Sequence, residues 1–390
     1  MRIFIMPLLH ALSALAGIML LNSCSGQSAS EKNDPADKYF LVGTYTGTLP
    51  PGNVADSGIF IYRMNGSTGA LSQISAGPFT TNPSFLAVHP GKRFVYAVNE
   101  NQNGEISSFI LDTIQMQLRF LNKVSSEGSY PCHLSVSHDG KFVFTANYGS
   151  GTVVFLPVTN SGMLAKAVWS DQHQGSGPDK NRQEGPHAHM IIPGTDENTA
   201  WSSDLGTDRV YRYNIDPISG MISQKNLPLA TIPGSGPRHL AFHPSGNPLY
   251  ILNELNGTIE VFSTPGNPDS LKRMQAISTL PAGDTSFAGS ADIHLTPDGR
   301  YLYASNRADI NTLAIYRVDS ISGILSLLGH QSTAGKSPRN FAIDPSGSFL
   351  LVANQKSNNI VVYKINQGTG LLEETGFSTA VPAPVCLVFL

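Results

Sequence analysis

Short runs of alternating apolar and polar residues repeat along most of the chain and follow one template. Each copy passes from a short apolar alternation through a Pro, Asp, Ser or Gly turn into an aromatic-rich strand that ends in a polar residue. Six complete copies lie between 48 and 57 residues apart and begin at Pro83, Pro131, Ala188, Pro237, Ser290 and Pro338. Because the apolar period is two and prolines recur, the pattern predicts β-strands and excludes a helical repeat.

The two ends of the chain supply the parts of a seventh copy. Pro384 and the residues that follow it repeat only the first strand of the template, whereas 39–45 and 58–63 match its later strands. Pairing the two ends would close a ring of sheets and leave no open edge. The sequence therefore predicts an all-β fold, a seven-bladed β-propeller over residues 39–390 that is closed by pairing of the N- and C-terminal strands.

The residues that the copies share have structural explanations. Turns such as Asp139-Gly140 use an Asp that caps its own backbone and a Gly that tolerates positive φ. An aromatic residue of the second strand predicts packing between blades at Tyr96, Phe144, Trp201, Tyr250 and Tyr303. An asparagine at the end of that strand is expected to satisfy backbone groups at Asn99, Asn147, Asn253, Asn306 and Asn354.

Two positions of the template change in chemistry from copy to copy. The residue after the leading position is Ser84, Cys132, His189, Arg238, Ala291, Arg339 or Val385, and the residue after the second strand is Glu100, Tyr148, Leu205, Glu254, Arg307 or Gln355. In antiparallel strands joined by a tight turn, the start of one lies beside the end of the other, so both positions meet at one rim. Charges are costly to bury unless they are paired, so packing alone does not explain them. We therefore expect one shared opening lined by His189, Arg238, Glu254, Arg307 and Arg339.

The stretches that carry these residues resemble a known family. GPRHLAFHPSGNPLYILNE, YLYASNR, the upstream PHAH and SPRNFAIDPSGSFLLVANQ are similar to the seven-bladed lactonases, which include propeller-type 6-phosphogluconolactonases and the fungal carboxy-cis,cis-muconate lactonizing enzyme. The resemblance implies a catalytic set of His189, Arg238, Glu254 and Arg307, and the register of the repeat favours His189 over His187 in PHAH. It implies hydrolysis of a sugar δ-lactone, with 6-phospho-D-glucono-1,5-lactone and water giving 6-phosphogluconate as the default.

Such hydrolysis needs an activated water and a stabilised oxyanion. Glu254 or neutral His189 could serve as general base. Arg238 and Arg307 could stabilise the oxyanion or hold an anionic group of the substrate, and Arg238 would keep Glu254 ionised. Further candidates for substrate binding are Arg339, His187 and Glu100.

Other chemistry has weaker signals. His187 and His189 lack a third ligand at a convincing spacing, so we expect no metal, and the chain carries no motif that predicts a cofactor. Asp204 could approach the tunnel from a strand end, as a residue behind the site. The glycine-rich segment 171–183 before His189 is either a lid over the rim or an exposed insertion.

The N-terminus has the features of an export signal. Arg2 precedes an apolar run that ends at Leu21, and Asn22-Ser23-Cys24 resembles a bacterial lipoprotein cleavage site. This pattern predicts a signal peptide over 1–23, lipidation of Cys24, a polar tether over 24–38 and a mature protein anchored at the cell envelope, facing the periplasm or the surface. An uncleaved anchor is the alternative for the apolar run, and a cytoplasmic protein is the alternative if the signal is absent.

Composition narrows the partners. The 390-residue chain has 25 basic and 28 acidic residues, a net charge of −3 and no basic cluster, which argues against binding nucleic acid. Its 3 cysteines cannot form a disulfide framework, and Cys132 and Cys386 are expected to be small buried residues. The predicted partner is a small lactone, with membrane contact only through Cys24.

Two further functional hypotheses stay open. One is a related enzyme that works in the lactonizing direction or on another carboxylated or unphosphorylated lactone. The other is a non-catalytic propeller, a binding module at the cell envelope that keeps the arginines as an anion site. Hydrolysis of a lactone by the purified chain would separate the enzymes from the binding module.

Overall fold

The computed structural model describes residues 36–47, 57–196, 198–216, 220–224, 228–263 and 271–390. The predicted signal peptide, Cys24 and most of the predicted tether lie outside these residues. The described chain folds into 29 strands in seven antiparallel sheets, which confirms the all-β prediction. No helix in this part of the chain is long and apolar enough to cross a membrane.

Each sheet is one blade, numbered one to seven from the blade that begins near residue 83. The innermost strands, in blade order, are β4 (Leu86–Val88), β8 (Pro131–Val136), β12 (Ala188–Pro193), β17 (Pro237–Phe242), β21 (Ser290–Leu295), β25 (Pro338–Ile343) and β29 (Pro384–Phe389). The second strands are β5 (Phe94–Asn99), β9 (Phe142–Asn147), β13 (Thr199–Asp204), β18 (Leu249–Asn253), β22 (Tyr301–Asn306), β26 (Phe349–Asn354) and β1 (Lys38–Thr44).

The outer half of each blade completes the sheet. The third strands are β6 (Glu105–Asp112), β10 (Thr152–Pro157), β14 (Arg209–Ile215), β19 (Thr258–Ser263), β23 (Thr312–Val318), β27 (Asn359–Ile365) and β2 (Ile59–Met64). The outermost strands are β7 (Gln117–Ser125), β11 (Trp169–Gln172), β15 (Ile222–Gln224), β20 (Lys272–Ser278), β24 (Leu325–Ser332), β28 (Leu372–Ala380) and β3 (Leu71–Ala76), and blade three adds β16 (Leu229–Ala230) beside β14.

The ring closes through the chain ends. Strand β29 pairs antiparallel with β1, and the pairs include Leu41 with Val388 and Val42 with Leu387. Each innermost strand contacts the innermost strand of the next blade, including β29 against β4. The blade that the sequence splits between its termini is therefore continuous in space, as predicted.

The apolar core lies between blades. Seven buried clusters occupy the seven blade-to-blade interfaces, and each combines residues of two neighbouring sheets. The aromatic residues predicted for this role all lie in them, at Tyr96, Phe144, Trp201, Tyr250 and Tyr303. Because packing uses the faces of the sheets, the rim of the tunnel is left for polar side chains.

Strand-end asparagines hold the connections between blades. Asn99, Asn147, Asn306 and Asn354 each donate from Nδ2 to a backbone carbonyl in the preceding connection, over 2.6–2.9 Å. This is the structural role that the sequence predicts for the column. Asn253 differs, because its Nδ2 donates to the side chains of Thr258 and Glu260. The described cysteines, Cys132 and Cys386, are buried and free, also as predicted.

Candidate active site

A β-bulge at the start of the innermost strand aims side chains at the tunnel. In the described chain, six of the seven innermost strands carry an irregularity of register at this position. In blade four, Pro237 pairs with Asn253 and His239 with Leu252, so Arg238 has no cross-strand partner. A bulge residue is released from the ladder and its side chain is redirected. The bulge thus explains why this column, and not its neighbours, can carry functional groups.

The second variable column reaches the same rim. The backbone N–H of Glu254, just after β18, donates to the carbonyl oxygen of Gly236 over 2.8 Å, next to the start of β17. The equivalent N–H of Glu100 donates to the carbonyl of Asn82 over 3.1 Å. The two columns therefore lie side by side, as the antiparallel geometry predicts.

Glu254 is the centre of an arginine cluster. Its Oε2 lies 3.0 Å from Nε of Arg238 and 2.9 Å from Nη2 of Arg307, while its Oε1 accepts from Nη2 of Arg182 at 2.7 Å. Arg238 also donates from Nη1 to the carbonyl of Ala291. Arg238 and Glu254 are buried, at 2% and 5% exposure, so these charge-assisted bonds are formed away from water.

The cluster sets the protonation of its members. Burial alone would raise the pKa of Glu254, but the charges of Arg307, Arg238 and Arg182 lower it to about 2. Burial and the charges of Arg307 and Arg339 lower the pKa of Arg238 to about 9, which leaves its guanidinium charged at neutral pH. Glu254 is therefore a permanent carboxylate with both oxygens occupied, and the arginines remain cations.

His189 lies beside this cluster as a neutral base. Its ring is buried, at 5% exposure, and its Nδ1 has no hydrogen-bond partner among the described residues. Burial, followed by the positive charges of Arg238, Arg339 and Arg307, holds the pKa of His189 well below its usual range. His189, Arg238 and Arg339 line one small cavity with space of about 10 Å³ for the centre of a water molecule, about enough for one water.

Glu100 forms a second carboxylate cluster at the same cavity. It accepts from the hydroxyl of Tyr45 at 2.7 Å and from Oγ of Ser84 at 2.5 Å, and Nη2 of Arg339 lies 3.8 Å away. Arg339 stacks its guanidinium on the ring of Tyr45, 5.4 Å from the centroid. Ser84 and Arg339 line the cavity together with His189 and Arg238, so both clusters face one space.

His187 is placed beside the site and not in the cavity. Its ring stacks on Tyr148 at 4.5 Å between centroids, its Nδ1 is bonded to the carbonyl of Tyr148 at 2.9 Å, and its Nε2 lies 3.1 Å from Glu184. Both ring nitrogens of His187 therefore already have protein partners, which leaves only the faces of the ring for contact with a substrate. Between the two histidines of PHAH, it is His189 that lines the cavity.

Arg182 is the residue of the arginine cluster that the sequence did not single out. It is carried by the connection 173–187, which overlaps the segment 171–183 that the sequence predicts to be either a lid or an exposed insertion. The next residue, Gln183, is fully buried and donates from Nε2 to the carbonyl of Leu205 and to Asp208, each over 2.8 Å. The segment is thus bonded to blade three and presents Arg182, 35% exposed, to Glu254.

Asp204 anchors both ends of this connection. Its Oδ2 is bonded to Nδ1 of His173 at 2.6 Å, and its Oδ1 accepts from the backbone N–H of His187 at 2.9 Å. Gly206 lets the connection approach, because a Cβ there would collide with the carbonyl oxygen of Gly185. Asp204, considered from sequence as a residue behind the site, therefore acts through the segment that carries Arg182.

The donor set favours an organic anion. No group of three or more His, Cys, Asp or Glu side chains suited to a metal ion occurs among the described residues. Among the described residues, the two carboxylate clusters together contain four arginines and two glutamates, a formal surplus of two positive charges when His189 is neutral. Guanidinium groups match carboxylate and phosphate with paired donors.

Comparisons with known proteins agree with this geometry. A family model described as "Lactonase, 7-bladed beta-propeller" matches residues 39–389. The chain is 34% identical over 340 residues to the 6-phosphogluconolactonase of Formosa agariphila, covering 86% of this chain and 94% of that protein. It is 33% identical over 357 residues to the 6-phosphogluconolactonase of Bacillus subtilis, covering 90% and 99%.

A solved structure extends the likeness to three dimensions. The periplasmic gluconolactonase of Pseudomonas aeruginosa superimposes with a TM-score of 0.85 at 34% identity, covering 91% of this chain and 99% of that one. Family match, relatives and fold thus agree over almost the whole propeller. The chain belongs to the lactonase family of seven-bladed β-propellers.

Proposed function

We propose that the protein hydrolyses a sugar δ-lactone, and that 6-phospho-D-glucono-1,5-lactone is its substrate. The observation that carries the proposal is the pairing of a neutral histidine, His189, with a carboxylate that is bound by three arginines, Glu254. A packing role needs neither feature. Relatives named 6-phosphogluconolactonase, 33–34% identical over most of the chain, support the assignment.

His189 is the general base of this proposal. Glu254, with a pKa of about 2 and both oxygens bonded to arginines, is a poor proton acceptor. The Nδ1 atom of His189 is buried and has no protein partner among the described residues, and the ring lines a cavity with room for about one water. A bound anion would offset the positive charges of Arg238 and Arg339 and raise the pKa of His189, which makes it a better base in the complex.

The reaction balances with these groups alone. The water oxygen attacks the lactone carbonyl carbon while His189 accepts the water proton, and Arg238 and Arg307 stabilise the oxyanion of the tetrahedral intermediate. When the intermediate collapses, the bond from that carbon to the ring oxygen breaks, and protonated His189 returns the proton to the departing alkoxide. The products are the free hydroxy acid and the unchanged enzyme. Glu254 orients Arg238 and Arg307 throughout.

Charge at the mouth favours an anionic lactone. The surplus of two positive charges complements a phosphate monoester, which carries close to two negative charges at neutral pH. Arg339, which lines the cavity and lies 3.8 Å from Glu100, is the candidate for this group. The same arginine surplus would also steer a carboxylated substrate, so the phosphate must be tested directly.

We also propose that the protein is exported and anchored by a lipid on Cys24. The support is the sequence of residues 1–24, with its basic start, apolar run and cysteine. The P. aeruginosa relative is described as periplasmic and as a gluconolactonase, which suits a propeller that works outside the cytoplasm. Export favours a second candidate substrate, unphosphorylated glucono-1,5-lactone, because phosphorylated sugars are formed inside the cell.

The test compares both lactones with purified residues 25–390. Rapid hydrolysis of the phosphorylated lactone with a much lower kcat/KM for the unphosphorylated one supports the first assignment. The reverse preference supports the second assignment. Hydrolysis of neither lactone would contradict the proposed hydrolase activity and favour a binding module. Cell fractionation with radiolabelled palmitate, on the natural chain and on Cys24→Ala, tests the anchor, and an unlabelled cytoplasmic protein would contradict it.

A further inference from the structure

Beneath Arg238 lies a buried polar chain that the reaction described above does not use. The next residue, His239, is 3% exposed, and its Nε2 lies 3.1 Å from Nη1 of Arg238. Its Nδ1 lies 2.7 Å from Oδ1 of Asp292, in blade five. The bulge at Arg238 makes this possible, because regular strand geometry would send two consecutive side chains to opposite faces.

The contacts define the tautomer of His239. A guanidinium nitrogen can only donate, so Nε2 must accept the hydrogen bond from Arg238. The single ring proton then lies on Nδ1 and is donated to Asp292. Burial and the charge of Arg238 lower the pKa of His239 to about 4, so the ring is neutral at pH 7 and has one donor and one acceptor. Each nitrogen therefore has the partner that its protonation requires.

Asp292 is held as firmly as the histidine that it orients. Its oxygens accept from His239, from the backbone N–H groups of Ile293 and Phe341, from Nδ2 of Asn340, and from Nε2 of His294 at 3.0 Å. Burial alone disfavours its charge, but these bonds and the charge of His294 hold the pKa of Asp292 well below its usual range. The carboxylate is therefore a fixed acceptor tied to blades four, five and six.

We propose that Asp292 and His239 are positioning residues that hold Arg238 in the orientation needed to stabilise the oxyanion. Asp292 fixes the tautomer and the angle of the His239 ring, and Nε2 of that ring fixes Nη1 of Arg238. Glu254 secures the Nε side of the same guanidinium, so the group is held from both ends. The role of Asp292 and His239 in catalysis rests on the proposed lactonase activity, whereas the tautomer of His239 and the hydrogen bonds of the two residues do not.

Two substitutions of His239 distinguish the need for a hydrogen-bond acceptor at the position of Nε2 from the need for the imidazole ring itself. In the full-length chain, His239→Gln places an amide near Nε2 and can still accept from Arg238, whereas His239→Asn places its amide near Nδ1 and cannot. We expect His239→Asn to lower kcat about 10- to 100-fold with little change in KM, and His239→Gln to keep kcat within about threefold. Asp292→Asn should resemble His239→Asn, and the double variant should be no worse than either single one, because both act through Arg238.

His133 is the matched control. It is buried, follows the bulge residue of blade two as His239 follows that of blade four, and its ring lies 5.8 Å from that of His239. Its Nδ1 accepts from the backbone of Ile191, and no hydrogen bond to an arginine is formed by it in the described chain. His133→Asn and His133→Gln should therefore leave kcat within about threefold of the unchanged protein, whatever they do to stability. Equal loss in His239→Asn and His239→Gln, or loss in neither, would overturn the proposal.

A second readout does not depend on activity. Nitrogen-15 NMR of the histidine rings in the unchanged protein at pH 7 should show His239 protonated at Nδ1 and unprotonated at Nε2, with the signal assigned by its absence in His239→Gln. A proton on Nε2 would refute the positioning chain even if the protein is an active lactonase. If the protein hydrolyses no lactone but the proton is present on Nδ1 of His239, the proposed function is wrong, whereas the hydrogen bonds from Asp292 through His239 to Arg238 are still supported.

Discussion

Glu254 and Glu100 occupy the same position of the repeat, at the mouth of the same tunnel, but their surroundings differ. Glu254 is bonded to three arginines, from blades four and five and from the connection before blade three. Glu100 accepts from the hydroxyls of Tyr45 and Ser84, and its nearest guanidinium nitrogen is 3.8 Å away. The repeat therefore provides the location, and neighbouring blades decide whether a carboxylate there organises cations or merely accepts hydrogen bonds.

The largest effect is expected from removing Arg238, the buried arginine that lines the cavity and is bonded to Glu254. Arg238→Ala should lower kcat/KM about a thousandfold, because it removes a charged donor at the oxyanion and releases Glu254. Arg339→Ala, on the Glu100 side, should lower kcat/KM about tenfold and act mainly on KM. Steady-state kinetics on the substrate identified above measures both, and full turnover by Arg238→Ala would refute its assignment.

The two carboxylates can be compared with the same substitution. Glu254→Gln should lower kcat about a hundredfold, because Arg238 and Arg307 lose the group that aligns them. Glu100→Gln keeps an acceptor for the two hydroxyls and should cost less than about tenfold. Equal losses at the two positions would show that the arginine cluster has no special role.

The acid side of the pH profile tests His189. Its pKa is lowered, so the neutral base persists as pH falls through 6.5, where an ordinary histidine becomes charged. We expect kcat/KM, which reports the free enzyme, to stay level from pH 8 to about 6 and to fall only below that. The acid limb of kcat should lie at higher pH than that of kcat/KM, because the bound anion raises the pKa of His189 in the complex. A decline in kcat/KM already centred at pH 6.5 or above would contradict this.

Acid stability tests Glu254 independently of catalysis. Its folded-state pKa of about 2 lies below its ordinary value of 4.5, so ionised Glu254 stabilises the fold above pH 4.5, and this contribution is lost as pH falls towards 2. The difference corresponds to roughly 3 kcal/mol. Urea unfolding between pH 7 and pH 3 should show a steeper loss of stability in the unchanged protein than in Glu254→Gln. Parallel curves would contradict the depressed pKa.

The smallest effect is expected at Arg182, the partly exposed member of the cluster. Arg182→Ala should lower kcat/KM about three- to tenfold, and the loss should shrink as salt is added, because exposed ion pairs are screened. Lys180→Ala, in the same connection and bonded only to the carbonyl of Gly177 in the described chain, is the matched control and should be neutral. A loss in Arg182→Ala that is independent of salt would argue against an electrostatic role.

The fold was predictable because it repeats. A period-two pattern that recurs about every 50 residues leaves few architectures, and the split between residues near 39 and near 384 implies closure. The aromatic and asparagine columns have the same partners in nearly every blade, so one explanation covers them all. Packing between repeated blades depends on the same few positions of each copy, so it can be predicted from the sequence.

The site was predictable only where it lies in the repeat. His189, Arg238, Glu254, Arg307 and Arg339 were found because they depart from a template. Arg182 lies outside the aligned columns and has no template to depart from, so no comparison of copies could have selected it. Tyr45 follows the second strand of blade seven, at the position that Glu254 has in blade four, but it was not singled out from the sequence because that copy is split between the chain ends. His239 and Asp292 fall within the innermost strands, where regular alternation gave no sign that His239 would contact Arg238 through one ring nitrogen and Asp292 through the other.

The sequence by itself determined the number of blades, the closure of the ring and those charged residues at its mouth that lie in the repeat, because each follows from periodicity and from the antiparallel geometry of a short hairpin. Only the tertiary structure decided which carboxylate is surrounded by arginines and which nitrogen of the His239 ring carries a proton. Those outcomes depend on ångström-scale contacts between blades distant in the chain, and burial makes their electrostatics strong.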